Sequence, residues 1–76
     1  MSLRDLEPEL LRAFLVVAQR LSFTSAAAAL NRTQSAVSGQ IKRLEASLGA
    51  TLFERTTTRV ALTPAGEGLV DYARRI

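Results

Sequence analysis

Large apolar residues recur at helical spacing in three runs along the chain, and before the last of them the spacing shortens toward two. Leu10, Phe14, Val17 and Leu21 form the first stripe, widened by Leu11, Leu15 and Ala18. They predict an amphipathic helix whose apolar side is the floor of the domain. Pro8 suits the first turn of that helix, where its missing N–H costs nothing. Glu7 is a mediocre N-cap, and Leu6 and Leu11 stand at staple spacing. Residues 1–6 are expected to be a loosely held arm, with Leu3 and Leu6 free to pack.

The stretch from Ser22 to Gly49 organises the rest. Ala26, Ala27, Ala28 and Ala29 predict a thin helix that a second helix can cross closely. Leu30 is its one large anchor and Thr24 its expected N-cap. Asn31 suits the following turn because asparagine tolerates the left-handed conformation. A longer helix over 34–48 then places Val37, Ile41, Leu44 and Leu48 on one stripe. Rotation by about 100° per residue puts Ser35, Ser38, Gly39, Lys42 and Arg43 on the other side. That face is small, polar and positive, as a groove-reading helix requires, and Gly49 ends it as a C-terminal glycine. A short helix, a three-residue turn and a longer helix make the pattern of a DNA-binding helix-turn-helix.

After Gly49 residues 51–55 and 59–62 read as two short strands, with Val60 and Leu62 on one face. Thr56, Thr57 and Thr58 connect them without glycine, asparagine or aspartate, so a tip wider than a two-residue turn is expected. A hairpin in this place is the wing of a winged helix-turn-helix. Thr63 and Pro64 open a last helix as N-cap and first helical residue, with Leu69, Tyr72, Ala73 and Ile76 as its stripe. No stop signal precedes Ile76.

Composition narrows the chemistry. Seventy-six residues with 47% apolar content make one small folded domain. With no cysteine and no histidine, disulfides, Cys/His metal sites and histidine-activated nucleophiles are excluded, and no cofactor is expected. The clustered acids Asp5, Glu7 and Glu9 are explained by a helix dipole before any catalytic use, so the chain reads as a non-enzyme. No apolar run has membrane-spanning length and Met1 opens no signal pattern, so a cytoplasmic, nucleoid-associated location is expected.

The net charge of +3 is unevenly placed. Residues 1–30 and 63–76 each balance to zero, whereas residues 31–62 carry Arg32, Lys42, Arg43, Arg55 and Arg59 against Glu45 and Glu54. A polyanionic partner explains that placement, and a solvated basic face explains it equally well from charge alone.

Ser22-Phe23-Thr24, Ala26-Ala27, Leu30, Gln34 to Ser38, Gln40-Ile41, Leu44-Glu45 and Leu48-Gly49 resemble the LysR-type transcriptional regulators. The similarity continues through Leu52 to Arg55 and Leu62 to Gly66. It implies a mainly α winged helix-turn-helix: a three-helix core, a two-stranded β wing and a C-terminal linker helix. The expected division is a DNA-binding unit over 1–62 and the start of a dimerisation helix over 63–76, cut before an effector-binding domain. The resemblance further implies a homodimer, or a tetramer of the full-length protein, on an interrupted palindrome of double-stranded DNA. A small-molecule effector would bind outside these residues.

By resemblance, bases are read from the early turns of helix 34–48, by Gln34, Ser35, Ser38 and Lys42. Gln34 also has an amide suited to bidentate pairing with adenine. Arg32 and Thr33 in the turn, Thr24, Gln40 and Arg43 complete the expected DNA contacts of the helix pair. In the wing they fall to Arg55, Thr57, Thr58 and Arg59, touching backbone or minor groove. A salt bridge to a neighbouring acid is the other reading of Arg55. Dimer contacts are expected at Leu69, Tyr72, Ala73 and Ile76. Many relatives carry a long, often basic residue where this chain has Gly39, which admits either closer approach to DNA or simple drift. Glycine and a further basic residue are also common near Thr57 and Thr58, so their absence favours phosphate contact by Arg55 and Arg59 over deep insertion of the tip. A winged-helix module serving protein or RNA contact is the alternative class, separated from duplex binding by salt dependence and sequence preference.

Overall fold

The computed structural model describes residues 6–56 and 59–75. Four helices, α1 (Pro8–Arg20), α2 (Phe23–Leu30), α3 (Gln34–Leu48) and α4 (Pro64–Arg74), enclose one core, with strands β1 (Phe53–Arg55) and β2 (Val60–Leu62) between α3 and α4. Leu10, Ala13, Phe14 and Val17 of α1 meet Val37, Ile41 and Leu44 of α3, and Leu52, Phe53 and Leu69 close the cluster. Burial of this apolar area is the main favourable term for a domain this small.

Leu21 departs from the expected stripe. It lies just past α1 in the left-handed region, φ 50°, with its side chain 46% exposed. Its N–H caps the helix on the Val17 carbonyl at 2.7 Å. A helix that ends at Arg20 swings the next residue off the face it would have continued; Ala13, between Leu10 and Val17 on that face, is buried. Glu7 occupies the N-cap without a side-chain bond, and Leu6 and Leu11 are half-buried against the core.

Ser22, rather than Thr24, caps α2: its Oγ accepts the Ser25 N–H at 3.1 Å. The helix therefore starts one residue before Thr24, which rides inside its first turn. The deep anchor of α2 is Phe23, which is buried, while Leu30 is half-buried. Ala26 and Ala27 are buried at the helix crossing, whereas Ala28 and Ala29 face out. Asn31 takes the left-handed turn, φ 56°, and Gly49 does so after α3, φ 66°.

The strands are shorter than 51–55 and 59–62, and pair antiparallel with Phe53 opposite Leu62 and Arg55 opposite Val60. The four-residue connection 56–59 closes through the Thr56 N–H on the Arg59 carbonyl, 2.9 Å, and the Arg59 N–H on Thr56 Oγ1, 3.0 Å. Thr63 caps α4 on the Gly66 N–H at 3.0 Å and donates its hydroxyl to the Thr51 carbonyl at 2.6 Å. One buried side chain thus starts α4 and fastens it to the entry of the wing.

Two helical glycines make opposite demands. A Cβ on Gly66 would collide with the Leu52 carbonyl oxygen and sit 2.8 Å from Leu62 Cδ2, whereas Gly39 faces open space. Gly66→Ala is expected to cost roughly 1–3 kcal/mol through overpacking against backbone. Gly39→Ala should instead stabilise by up to about 1 kcal/mol through helix propensity. Chemical denaturation of the two variants measures both; similar shifts of the same sign would contradict this account of Gly66.

Candidate nucleic-acid interface

The outer side of α3 is built from its N-terminus. Thr33 caps the helix on the Ala36 N–H at 3.0 Å and is exposed. Gln34 follows at the first helical position, where free backbone N–H groups and the helix dipole favour anions. Thr24 on α2 lies against it, donating its hydroxyl to Gln34 Oε1 at 3.3 Å. Ser35, Gly39 and Lys42 are exposed on the side away from Val37, Ile41 and Leu44. Lys42 makes no ion pair among the described residues.

One flank of this face meets the wing. Arg55 stands with its guanidinium carbon 3.8 Å from the centre of the Phe23 ring, a cation–π contact. Its Nη1 donates to Ser38 Oγ at 3.0 Å. Among the described residues its partners are therefore an aromatic face and a serine, not the neighbouring acid its salt-bridge reading required. Phe23 is held in turn by Phe53, edge to face at 5.9 Å, and Phe53 by Phe14 at 5.4 Å.

The other flank carries acids. Arg32 pairs with Glu9 at 3.5 Å and Arg43 with Glu7 at 3.7 Å, all four side chains well exposed. Such pairs contribute little to stability and are readily exchanged for phosphate. Glu7 and Glu9, remote in sequence from helix 34–48, thus temper its positive charge, a pairing that the segment-by-segment charge balance hides.

Gln40 lies at the edge of this face. It is half-buried beside α1, its Oε1 buried without a hydrogen-bond partner among the described residues, in a cleft shared with Ala13, Leu30 and Arg32. At three residues past Val37 it falls on the shoulder of the apolar stripe, a placement the helical period foretells. Leu69, expected at a dimer contact, is only 4% exposed and packs into this chain's own core. Tyr72 and Ala73 are half-buried. Thr57, Thr58 and Ile76 lie outside the described residues. Arg59 is exposed beside the wing tip.

Glu45 is a residue the sequence reading missed. Its Oε2 accepts the N–H of buried Leu52 at 2.7 Å, reaching beyond the end of α3 to set where the wing departs. In the sequence it stood only within the family resemblance, with no sign of its bond to Leu52.

A helix-turn-helix flanked by a two-stranded wing, with its small, polar and basic side outermost, defines a winged helix-turn-helix domain of the nucleic-acid-binding kind. The model of the family described as bacterial regulatory helix-turn-helix protein, lysR family, matches residues 8–67. The chain belongs to that family. It is 53% identical over 66 residues to a probable hydrogen peroxide-inducible genes activator of Streptomyces viridosporus, covering 87% of this chain and 21% of that protein. The chain therefore spans about a fifth of the length of that relative. A crystal structure of a LysR-family transcriptional regulator from Eggerthella lenta superposes with TM-score 0.86 at 36% identity, covering 91% of this chain and 99% of that one. A BenM_DBD/catB site 1 DNA complex does so with TM-score 0.87 at 40% identity, covering 92% and 78%. The relatives are transcriptional regulators, and no described helix is long and apolar enough to cross a membrane.

Removing the Glu45 carboxylate leaves a buried N–H without its acceptor. Glu45→Ala is expected to cost about 1.5–3 kcal/mol, the range for hydrogen bonds to charged groups. Urea unfolding measures this; a change within about 0.5 kcal/mol, as at an ordinary surface position, would mean that the bond does not hold the wing.

Proposed function

We propose that this chain is the operator-reading part of a bacterial LysR-type regulator, binding double-stranded DNA with α3 in the major groove and the wing on backbone or minor groove. The observation that carries this reading is the outer side of α3, where Gln34, Ser35, Ser38, Gly39 and Lys42 form a surface free of bulky aliphatics. Arg55 and Arg59 stand at its wing side. Short polar groups on such a helix reach base edges, and the cations meet phosphate. The fold likeness to a domain solved on its DNA supports the same placement.

In this reading Gln34, Ser35 and Ser38 give sequence preference. Thr24, Arg32, Thr33, Lys42, Arg43, Arg55 and Arg59 give affinity and orientation, with Thr57 and Thr58 as further wing contacts. Bidentate pairing of Gln34 with adenine uses its Nε2 donor and one lone pair of Oε1, and the other lone pair can keep the Thr24 hydroxyl. Two chains pair through α4, using Tyr72, Ala73 and the next stripe residue, Ile76, and present two α3 helices to successive major grooves of an interrupted palindrome. Residues 63–76 then form the start of a linker to an effector-binding domain in a longer, cytoplasmic protein, and the reaction partner is DNA rather than an enzymatic substrate.

Selection of bound duplexes from a random pool at two salt concentrations tests the reading. An interrupted dyad is expected, with half-sites about one helical turn apart. Lys42→Ala should weaken binding to all sequences alike and lower the salt slope by about one, whereas Gln34→Ala should relax preference at one position per half-site. Absence of duplex binding at low salt would overturn the proposal and favour the protein- or RNA-contact alternative. Salt-sensitive binding that enriches no sequence would overturn its operator-reading part.

A further inference from the structure

We propose that Arg55 is a positioning residue for base readout: by donating to Ser38 it commits that hydroxyl to act as a donor toward DNA, so the chain prefers an acceptor-bearing base edge there. The proposal rests on the duplex-binding reading above.

A serine hydroxyl is ambiguous in recognition, because it has one proton to give and two lone pairs to receive with. On its own it pairs with donor and acceptor edges alike. Arginine is not ambiguous: all five of its N–H groups donate and none accepts. The 3.0 Å bond from Arg55 Nη1 to Ser38 Oγ therefore has one direction whatever the hydroxyl's rotation. It consumes one of the two lone pairs and leaves the proton free, with the single remaining lone pair beside the cation.

The guanidinium is also held in place. Its carbon lies 3.8 Å from the centre of the Phe23 ring, Phe23 is buried, and the Phe53 ring meets it edge-on at 5.9 Å. A fixed positive charge beside Ser38 Oγ repels an incoming N–H and favours an incoming lone pair. The amine of cytosine is disfavoured; purine N7, guanine O6 and thymine O4 are favoured. Lys42, one turn along the same face, is likewise a donor only. The N–H groups of Arg55 not bound to Ser38 belong to an exposed residue and have no other hydrogen-bond partner among the described residues.

The test is duplex selection with the unmodified chain, Ser38→Ala, Arg55→Met and the double variant. Methionine keeps an unbranched apolar stem over Phe23 and removes every donor. At the position where Ser38→Ala relaxes preference, the unmodified chain is expected to disfavour cytosine by roughly fivefold to tenfold, the low end for a good side-chain–base contact. Arg55→Met should lose the same preference at the same position, and the double variant should lose no more. If Arg55→Met weakens all duplexes alike, lowers the salt slope by about one and keeps the preference, Arg55 is a phosphate contact and the proposal fails. It fails equally if cytosine is the favoured base. Ser38→Ala, a better helix former on the surface of α3, keeps the test decisive should the methionine variant unfold: an unaltered preference in it overturns the proposal. Failure of the unmodified chain to enrich any sequence would instead overturn the operator-reading function itself.

Discussion

The contact of Phe53 with Phe14 and Phe23 fixes the angle between the wing and the reading helix. Phe53 is the first residue of β1, and its ring packs 5.4 Å from Phe14 on the floor helix and 5.9 Å from Phe23 at the head of α2. Tilted and edge-to-face pairs at these distances add to the apolar area they bury. A strand of three residues has little pairing energy of its own, since an isolated two-stranded hairpin is at best marginal in water. The wing is therefore held by side chains at its base rather than by its ladder. Arg55 closes the same stack from outside, so the residues that anchor the hairpin also fix a cation beside Ser38.

Electrostatics follows from this packing more than from composition. The excess of positive charge in residues 31–62 meets Glu7 and Glu9 in space, because α1 crosses under the turn and α3. Two arginines are thereby partly balanced on one flank, while Lys42 makes no ion pair among the described residues and Arg55 has an aromatic partner. Exposed ion pairs contribute little, so Arg32 and Arg43 are held only loosely by their carboxylates.

What the chain disclosed in sequence was whatever depends on periodicity and local backbone chemistry. The three helices over residues 8–48 and the last helix, the left-handed Asn31 and Gly49, the capping of α4 by Thr63 and the α3 stripe all follow from spacing and from the backbone preferences of single residues. At the start of α2 two neighbours compete for the same role. Ser22 and Thr24 are both good caps, and only the burial of Phe23 decides for Ser22. Leu21 continues the α1 period, yet the helix stops before it. Gln40 lies on the shoulder of the α3 stripe, as its spacing from Val37 foretells, whereas for Leu69 the stripe alone does not say whether it meets this core or a second chain. Contacts between distant segments had no local sign at all: Glu45 with Leu52, Arg55 with Phe23, Arg43 with Glu7.

The placement of Leu69 and Gly66 bears on how the last helix can serve assembly. Gly66 lies against the Leu52 backbone and Leu69 enters the common core, so the first turns of α4 are part of this domain rather than a strap leaving it. The boundary between Leu62 and Thr63 divides elements, not packing. Ala65, Glu67, Gly68 and Asp71 on the other sides of α4 are exposed, and Tyr72 and Ala73, beside Leu69, are half-buried. A pull or rotation on α4 would be felt first at Gly66 and Thr63, which touch Leu52 and Thr51 at the entry to the wing. From there the load path reaches Phe53 and Arg55 within three residues. In this chain a tightly fitted Gly66 and a doubly bonded Thr63 are thus the joint between α4 and the entry of the wing.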